Sequence, residues 1–306
     1  MPNTSLTQQT FSLNETLPEA SKRLHSILIV LYSIDLAGGT LGVIVMSHHL
    51  FQRRSQSGMT IIVINLLVLH TLLLLSIPFR LSYYVLREWK FGMFACRLVS
   101  AMIYLHMYTT FTFYIAIIII RLFQLEFKKC YTTTWVTSVW LVGALVISPV
   151  FLSYYGTSKT YNSSECFQFH QEIQETSMVI VNYCFVGILV AVCTVLTTVQ
   201  LSVIYRLAVK YWPDIYSHVE FRAQVKSFFF ILVTLVCFMP HHVFRIYYIQ
   251  NYNLDKDHEL VSYNEIFLAL TTMCCLDMLC FIAGIPSRKT FDQKISLMSA
   301  HFQLLC

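Results

Sequence analysis

The sequence predicts an all-α membrane protein, a bundle of seven transmembrane helices. Hydrophobic residues make up 56% of the chain and charged residues only 12%, whereas soluble domains carry about 25% charged residues. A bilayer span needs about 20 largely apolar residues, and seven windows meet that length. The predicted spans are residues 25–50, 60–86, 94–122, 135–155, 176–206, 226–250 and 261–284. The polar connections between them are too short for a separate soluble domain.

Three segments follow from this division. Residues 1–24 form a polar N-terminal segment, residues 25–285 the transmembrane domain, and residues 286–306 a cytoplasmic tail. The first 23 residues lack the apolar stretch of a cleaved signal peptide, so we expect the first span to act as the insertion signal. The tail sequence PSRKTFDQKISLMSAHFQLLC predicts a short amphipathic helix on the cytoplasmic membrane surface.

The distribution of charge predicts an extracellular N-terminus. Lysine and arginine are more frequent in the connections that would then be cytoplasmic, as the positive-inside rule requires. Asn3, Asn14 and Asn162 lie in N-x-S/T sequons, and we expect all three to be glycosylated on the outer side. The basic pI near 8.6 is explained by cytoplasmic loops that face the anionic lipid bilayer, and it does not indicate a nucleic-acid partner.

The stretch CFMPHHVFR places a proline and three basic side chains in the sixth span. Pro240 removes a backbone donor and bends the helix. His242 and Arg245 follow on one helical face, and Arg80 lies at similar depth in the second span. Ionisable groups inside a span usually face the bundle interior, although an arginine can also extend to the outer interface. We expect a ligand pocket for a carboxylate or phosphate, which guanidinium binds with two parallel hydrogen bonds.

Five motifs resemble one receptor family. WKFGMFAC resembles the first outer loop of the rhodopsin-like (class A) G-protein-coupled receptors, Arg121 the arginine that ends their third helix, and Trp140 with Pro149 their fourth-helix pair. CFMP and LDMLCF resemble the sixth-helix and seventh-helix motifs. The resemblance covers nearly the whole chain in order, and it implies a disulfide between Cys96 and Cys166. SIPFR and CFMPHHVFR are similar to the nucleotide- and lipid-responsive branches.

The resemblance implies a plasma-membrane receptor that transmits the signal of an extracellular ligand, of unknown identity, to a heterotrimeric G protein. Arg121 would contact that G protein. Ile120 stands where the family has an acidic partner for this arginine, so we expect elevated signalling without ligand. Phe238 and Phe281 replace the usual tryptophan and tyrosine of the sixth-helix and seventh-helix motifs, and with Pro240 they are candidate switch residues.

The third span supplies the expected wall of the pocket. Tyr104, Met107 and Tyr108 are candidates, with core packing an equally good interpretation of each. Ile103 stands where amine receptors place an aspartate, which argues against an amine ligand.

His70 replaces the second-helix aspartate that holds sodium in the family. Asp277 from the seventh span is expected to pair with it, and His106 to approach from the third. One hypothesis is a pH-sensitive contact that replaces sodium; the alternative is a satisfied core histidine. We count His70 and Asp277 among the candidate switch residues.

Enzyme motifs such as the P-loop, G-x-S-x-G and H-E-x-x-H do not occur in the sequence. The pairs His48–His49 and His241–His242 are adjacent, so their side chains point to different sides of a helix and predict no metal site. We expect no catalytic residue and no cofactor. One alternative remains, a receptor-like scavenger or scaffold of the plasma membrane that does not couple, which the altered motifs favour. A small transporter would predict inverted repeats, and the sequence shows none.

Overall fold

The computed structural model describes residues 19–52, 57–123, 128–149, 175–251 and 259–279, together with residues 125, 164, 166 and 167. The described residues form seven helices and two short 3₁₀ turns. Helices α1 to α7 are Glu19–Phe51, Gly58–Leu86, Gly92–Leu122, Lys129–Pro149, Thr176–Lys210, Val219–Asn251 and Glu259–Thr272. The 3₁₀ turns are Ile215–Ser217, before α6, and Met273–Leu276, after α7.

Five of these helices are long and apolar enough to cross a membrane, namely Arg23–Phe51, Gly58–Leu86, Gly92–Leu122, Thr176–Lys210 and Val219–Asn251. The other two predicted spans, 135–155 and 261–284, extend beyond Pro149 and Leu279, where the described residues end. The sequons, Phe281 and the predicted amphipathic helix at 286–306 also lie outside the described residues.

Apolar side chains fill the interior and also cover the outer surface of the bundle. Leu66, Ile117 and Phe230 belong to a buried cluster that joins α2, α3 and α6. On the outside, Leu145 and Val195 are 71% and 61% exposed. Such an apolar exterior is expected where lipid tails, rather than water, surround the helices.

Helix α6 changes its hydrogen-bonding pattern just before Pro240. The segment Thr234–Phe238 is a π turn, in which the Met239 N–H bonds to the Thr234 carbonyl. Proline has no N–H, so the normal bond to the carbonyl four residues earlier cannot form, and a wider turn is one of the recognised adjustments. The structure therefore has a π turn followed by α-helix at the place where the sequence predicts a bend.

Two contacts between elements fix the outer and middle parts of the bundle. Trp140 Nε1 on α4 donates to Asn65 Oδ1 on α2 at 3.1 Å. The disulfide between Cys96 and Cys166 is present, with a Cα–Cα distance of 5.8 Å, which confirms the pairing implied by the family resemblance. It places Phe167 in the aromatic cluster above α2 and α3.

Candidate ligand-binding site and switch residues

Arg80 is buried inside the bundle, 1% exposed. Its Nη1 donates to Glu265 Oε2 at 3.2 Å and to the Tyr32 hydroxyl at 3.3 Å. The Tyr84 hydroxyl donates to the same carboxylate oxygen at 2.9 Å, and the Phe167 ring lies 4.1 Å from the guanidinium carbon. Glu265 therefore neutralises the charge of Arg80 inside the bundle.

Arg245 has a different environment, one turn beyond Pro240. Its Nη1 donates to Asn264 Oδ1 at 2.9 Å, and its guanidinium carbon lies 5.8 Å from the Tyr248 ring centre. The side chain is buried, so the extension to the outer interface considered from the sequence is not what the structure shows. The Asn264 oxygen that accepts this bond belongs to a neutral amide.

Arg245 borders a cavity of about 490 Å³ between α3, α4 and α5. Val142 on α4 and Val181 on α5 are 59% and 47% exposed on the outer surface, so the cavity opens between these two helices. Most of its surface is apolar, with hydroxyl and amide groups interspersed. The residues that line the cavity include Tyr104, Tyr108, Val142, Asn182, Phe185 and Arg245.

The structure brings only part of the predicted pocket together. Tyr104 and Arg245 line the cavity. Met107 is 1% exposed and packs in the central apolar cluster, which is the core-packing interpretation. His242 is buried, with its ring 5.9 Å from that of Tyr108, and Arg80 lies in its network with Glu265 instead of at the cavity wall.

The candidate switch residues in the middle of the bundle form one contact network. His70 Nε2 lies 3.3 Å from Asp277 Oδ1, and His70 Nδ1 lies 2.8 Å from His106 Nε2, where one ring donates to the other. The Tyr114 hydroxyl donates to Asp277 Oδ2 at 2.5 Å. The structure thus places His70, His106 and Asp277 together, as the sequence suggested, and adds Tyr114.

Phe238 connects this network to the interruption in α6. Its side chain is completely buried, and its ring centre is 6.3 Å from that of Tyr114. Pro240 follows two residues later, directly beyond the π turn. A change in the shape of α6 would therefore alter the contact between Phe238 and Tyr114. Through the Tyr114 hydroxyl it would also alter the hydrogen bond to Asp277.

Near the C-terminal end of α3, two glutamines join α3, α5 and α6. Gln224 Nε2 on α6 donates to the Arg121 carbonyl at 3.2 Å. Gln200 Nε2 on α5 donates to the Gln224 side-chain and backbone oxygens, both at 2.9 Å. The guanidinium carbon of Arg121 lies 5.8 Å from the Phe230 ring centre. We call Gln200, Gln224 and the Arg121 carbonyl the glutamine clamp.

Sequence reasoning missed several of these polar residues. Glu265 carries a usable signal, because it is a carboxylate within an apolar window and Arg80 in another window has the opposite charge. Asn264, Gln200 and Gln224 carry weaker signals, since neutral amides occur in membrane helices for many reasons.

Comparison with known proteins identifies the family. Residues 42–279 match the family described as 7 transmembrane receptor (rhodopsin family). The human protein named probable G-protein coupled receptor 141 is 38% identical, over 88% of this chain and 90% of the relative. The mouse 2-oxoglutarate receptor 1 is 25% identical, over 82% and 77%. Human cysteinyl leukotriene receptor 1 is 25% identical, over 97% and 93%.

The family match covers most of the chain and includes the switch network, Arg121 and the disulfide. Because the family has seven transmembrane helices, α4 and α7 are the two spans that complete the five long apolar helices. The chain belongs to the rhodopsin family: it is a G-protein-coupled receptor, a multi-pass plasma-membrane protein with a seven-helix transmembrane bundle, and not an enzyme.

Proposed function

We propose that this receptor responds to an extracellular ligand with an apolar body and an anionic head group, bound in the cavity between α3, α4 and α5. The observation that carries the proposal is the position of Arg245 at the edge of a mainly apolar cavity. Ligand pockets typically combine apolar walls with a few placed polar groups, and guanidinium binds carboxylate or phosphate with two parallel hydrogen bonds. Arg245 is the head-group donor and Asn264 its positioning partner.

The lining favours a lipid-like over a nucleotide-like ligand. The rings of Tyr108 and Phe185 contact each other at the wall, with centres 4.6 Å apart and planes tilted by 31°. Exposed valines flank the opening between α4 and α5. Two relatives are named as receptors for 2-oxoglutarate and for cysteinyl leukotrienes. Both names denote carboxylic acids, which agrees with an arginine as the anchoring group.

Signal transmission would use the parts of α6 on either side of Pro240. A ligand shifts an existing equilibrium only if it binds one state better than the other. Arg245 lies on the outer part of α6, and Gln224 on the inner part contacts the Arg121 carbonyl. Ligand binding at Arg245 would favour a state in which the inner part moves away from α3, exposing Arg121 to the G protein. The extracellular, glycosylated N-terminus is part of this proposal.

The first experiment measures G-protein activation in cells without added ligand, at matched surface expression. We expect wild-type activity above that of untransfected cells, because Ile120 supplies no acidic partner for Arg121, and we expect Arg121→Ala to remove the excess. Wild-type activity equal to the untransfected background would contradict elevated basal signalling.

The second experiment applies oleate, lysophosphatidate and 2-oxoglutarate as probes. We expect the two lipids to activate and Arg245→Gln to weaken their potency at least about tenfold, because one charged hydrogen bond contributes about 1.5–3 kcal/mol. Lys90→Gln is the control, since Lys90 is an exposed cation outside the cavity. Uptake of a probe without any G-protein activation would favour the scavenger function, which the altered residue Ile120 also suggests.

A further inference from the structure

His70, His106 and Cys274 bring three potential metal ligands to one point inside the bundle. They come from α2, α3 and the 3₁₀ turn after α7, all three are buried, and their ligand atoms lie within 4.8 Å of one another. These side chains are 36 or more residues apart in the sequence. Helix packing therefore brings these three side chains together, and no local sequence motif predicts the cluster.

The distances are close to those of a tetrahedral zinc site. Zinc bonds of about 2.0–2.1 Å to nitrogen and about 2.3 Å to sulfur imply ligand-to-ligand distances of about 3.3–3.8 Å. Cys274 Sγ lies 4.0 Å from His106 Nε2. Cys275 Sγ, on the neighbouring residue, lies 3.3 Å from His70 Nδ1 and 3.7 Å from His106 Nε2. To hold zinc, the two ring nitrogens, at 2.8 Å, need to separate by about half an ångström, and the Cys274 sulfur needs to move closer to the rings.

Asp277 lies where a carboxylate would support such a site. Its Oδ1 is 3.3 Å from His70 Nε2, the ring nitrogen on the opposite side from the donors. Within the described part of the chain, neither of these two buried atoms has a well-formed hydrogen bond. Histidines that bind a metal usually donate their other N–H to a carboxylate, which fixes the tautomer. Metal at Nδ1 would require the proton on Nε2, where Asp277 accepts it.

We propose that this cluster is a binding site for a borderline-soft divalent metal ion of the zinc class, held by His70, His106 and Cys274. Imidazole and thiolate select such ions over Na⁺, Mg²⁺ and Ca²⁺, which prefer oxygen. One thiolate and the Asp277 carboxylate balance the two positive charges of the ion, so the occupied site carries no net charge. The thiol proton of Cys274 leaves to bulk water on binding.

The site would act as a cross-link between helices. Its donors lie on α2, on α3 and beyond α7, and Tyr114 connects Asp277 to the ring of Phe238 on α6. A ligand that binds only the packed arrangement stabilises it by mass action. Metal binding therefore raises the thermal stability of the receptor and lowers its basal signalling.

The test uses the intact receptor purified in detergent, treated with a chelator and dialysed. Zn²⁺ is then added, and a second dialysis removes the unbound excess. The metal that the protein retains is measured by mass spectrometry. We expect about one ion per chain and an increase in the unfolding temperature. Replacement by Co²⁺ is expected to give the visible bands of a tetrahedral ion and a thiolate-to-cobalt charge-transfer band. These wild-type measurements need no variant to fold and do not depend on G-protein coupling or on the proposed ligand.

Three variants locate the ion. Cys274→Ser and His106→Gln are expected to reduce metal retention at least about tenfold, and Asp277→Asn to weaken affinity about 10- to 100-fold. Cys193→Ser is the matched control, because Cys193 is a buried cysteine on α5 outside the cluster. No retained metal in the wild type, or a cobalt spectrum without the thiolate band, would overturn the proposal. So would a spectrum that persists unchanged in a Cys274→Ser, Cys275→Ser double variant.

Discussion

Arg80 and Glu265 form a buried ion pair that joins α2 to α7, with Nη1 3.2 Å from Oε2. Two tyrosine hydroxyls complete the arrangement, one accepting from the arginine and one donating to the carboxylate. Charged groups inside a membrane bundle are costly unless they are paired. The pair therefore explains why a fully buried arginine is tolerated.

Removing one partner of this pair is expected to destabilise the receptor strongly. Glu265→Ala leaves the Arg80 charge buried, and breaking such pairs costs about 3–5 kcal/mol. The double variant Arg80→Met, Glu265→Leu removes both charges and is expected to cost less than Glu265→Ala. Thermal unfolding of the three proteins in detergent measures this. A double variant that is less stable than Glu265→Ala would contradict the expected coupling.

A tryptophan at the mouth of the cavity is expected to block the ligand. Val142→Trp fills the opening between α4 and α5. Because Val142 is exposed, we expect little change in the stability of the fold. We expect potency for the active lipid probe to fall at least about tenfold, because the apolar body can no longer enter. Leu141→Trp is the matched control: Leu141 is adjacent and 58% exposed but does not line the cavity. Equal potency of both variants would show that the ligand enters or binds elsewhere.

Loosening the glutamine clamp is expected to raise basal signalling. Gln224→Ala removes side-chain bonds to the Arg121 carbonyl and to Gln200, and each hydrogen bond contributes about 0.5–1.5 kcal/mol. A change of one or two kcal/mol shifts an equilibrium about 5- to 30-fold, so several-fold higher ligand-free G-protein activation should result. The exposed neighbour Val225, changed to alanine, is the control. Unchanged or reduced activity of Gln224→Ala at matched surface expression would contradict a restraining role.

Loss of the outer disulfide is expected to lower stability and surface expression. Cys166→Ser frees a segment that the disulfide closes over a sequence separation of 70 residues, and native disulfides typically contribute about 2–5 kcal/mol. It also releases Phe167, whose ring lies against the Arg80 guanidinium. Surface labelling and thermal unfolding measure the loss, and Cys184→Ser, at an exposed free cysteine, should leave both unchanged.

Hydropathy and the family motifs predicted the helices, their order, and the Cys96–Cys166 disulfide, because each is written in consecutive residues or in a short signature. Pro240 also predicts a bend in the sixth span, because proline has no N–H, and the structure has a π turn just before it. The expected proximity of His70, His106 and Asp277 came from the same resemblance and matches the distances observed.

What the sequence determined by itself is which segments lie in the membrane, since burying apolar residues in lipid depends on composition alone. Only the tertiary structure decided which polar groups meet inside it. Arg80 finds Glu265 at a sequence separation of 185 residues, and Cys274 reaches His106 at a separation of 168. Hydropathy does not specify helix rotation or partner. These are set by the packing of side chains between helices, where every buried charge and hydrogen-bonding group must find a partner.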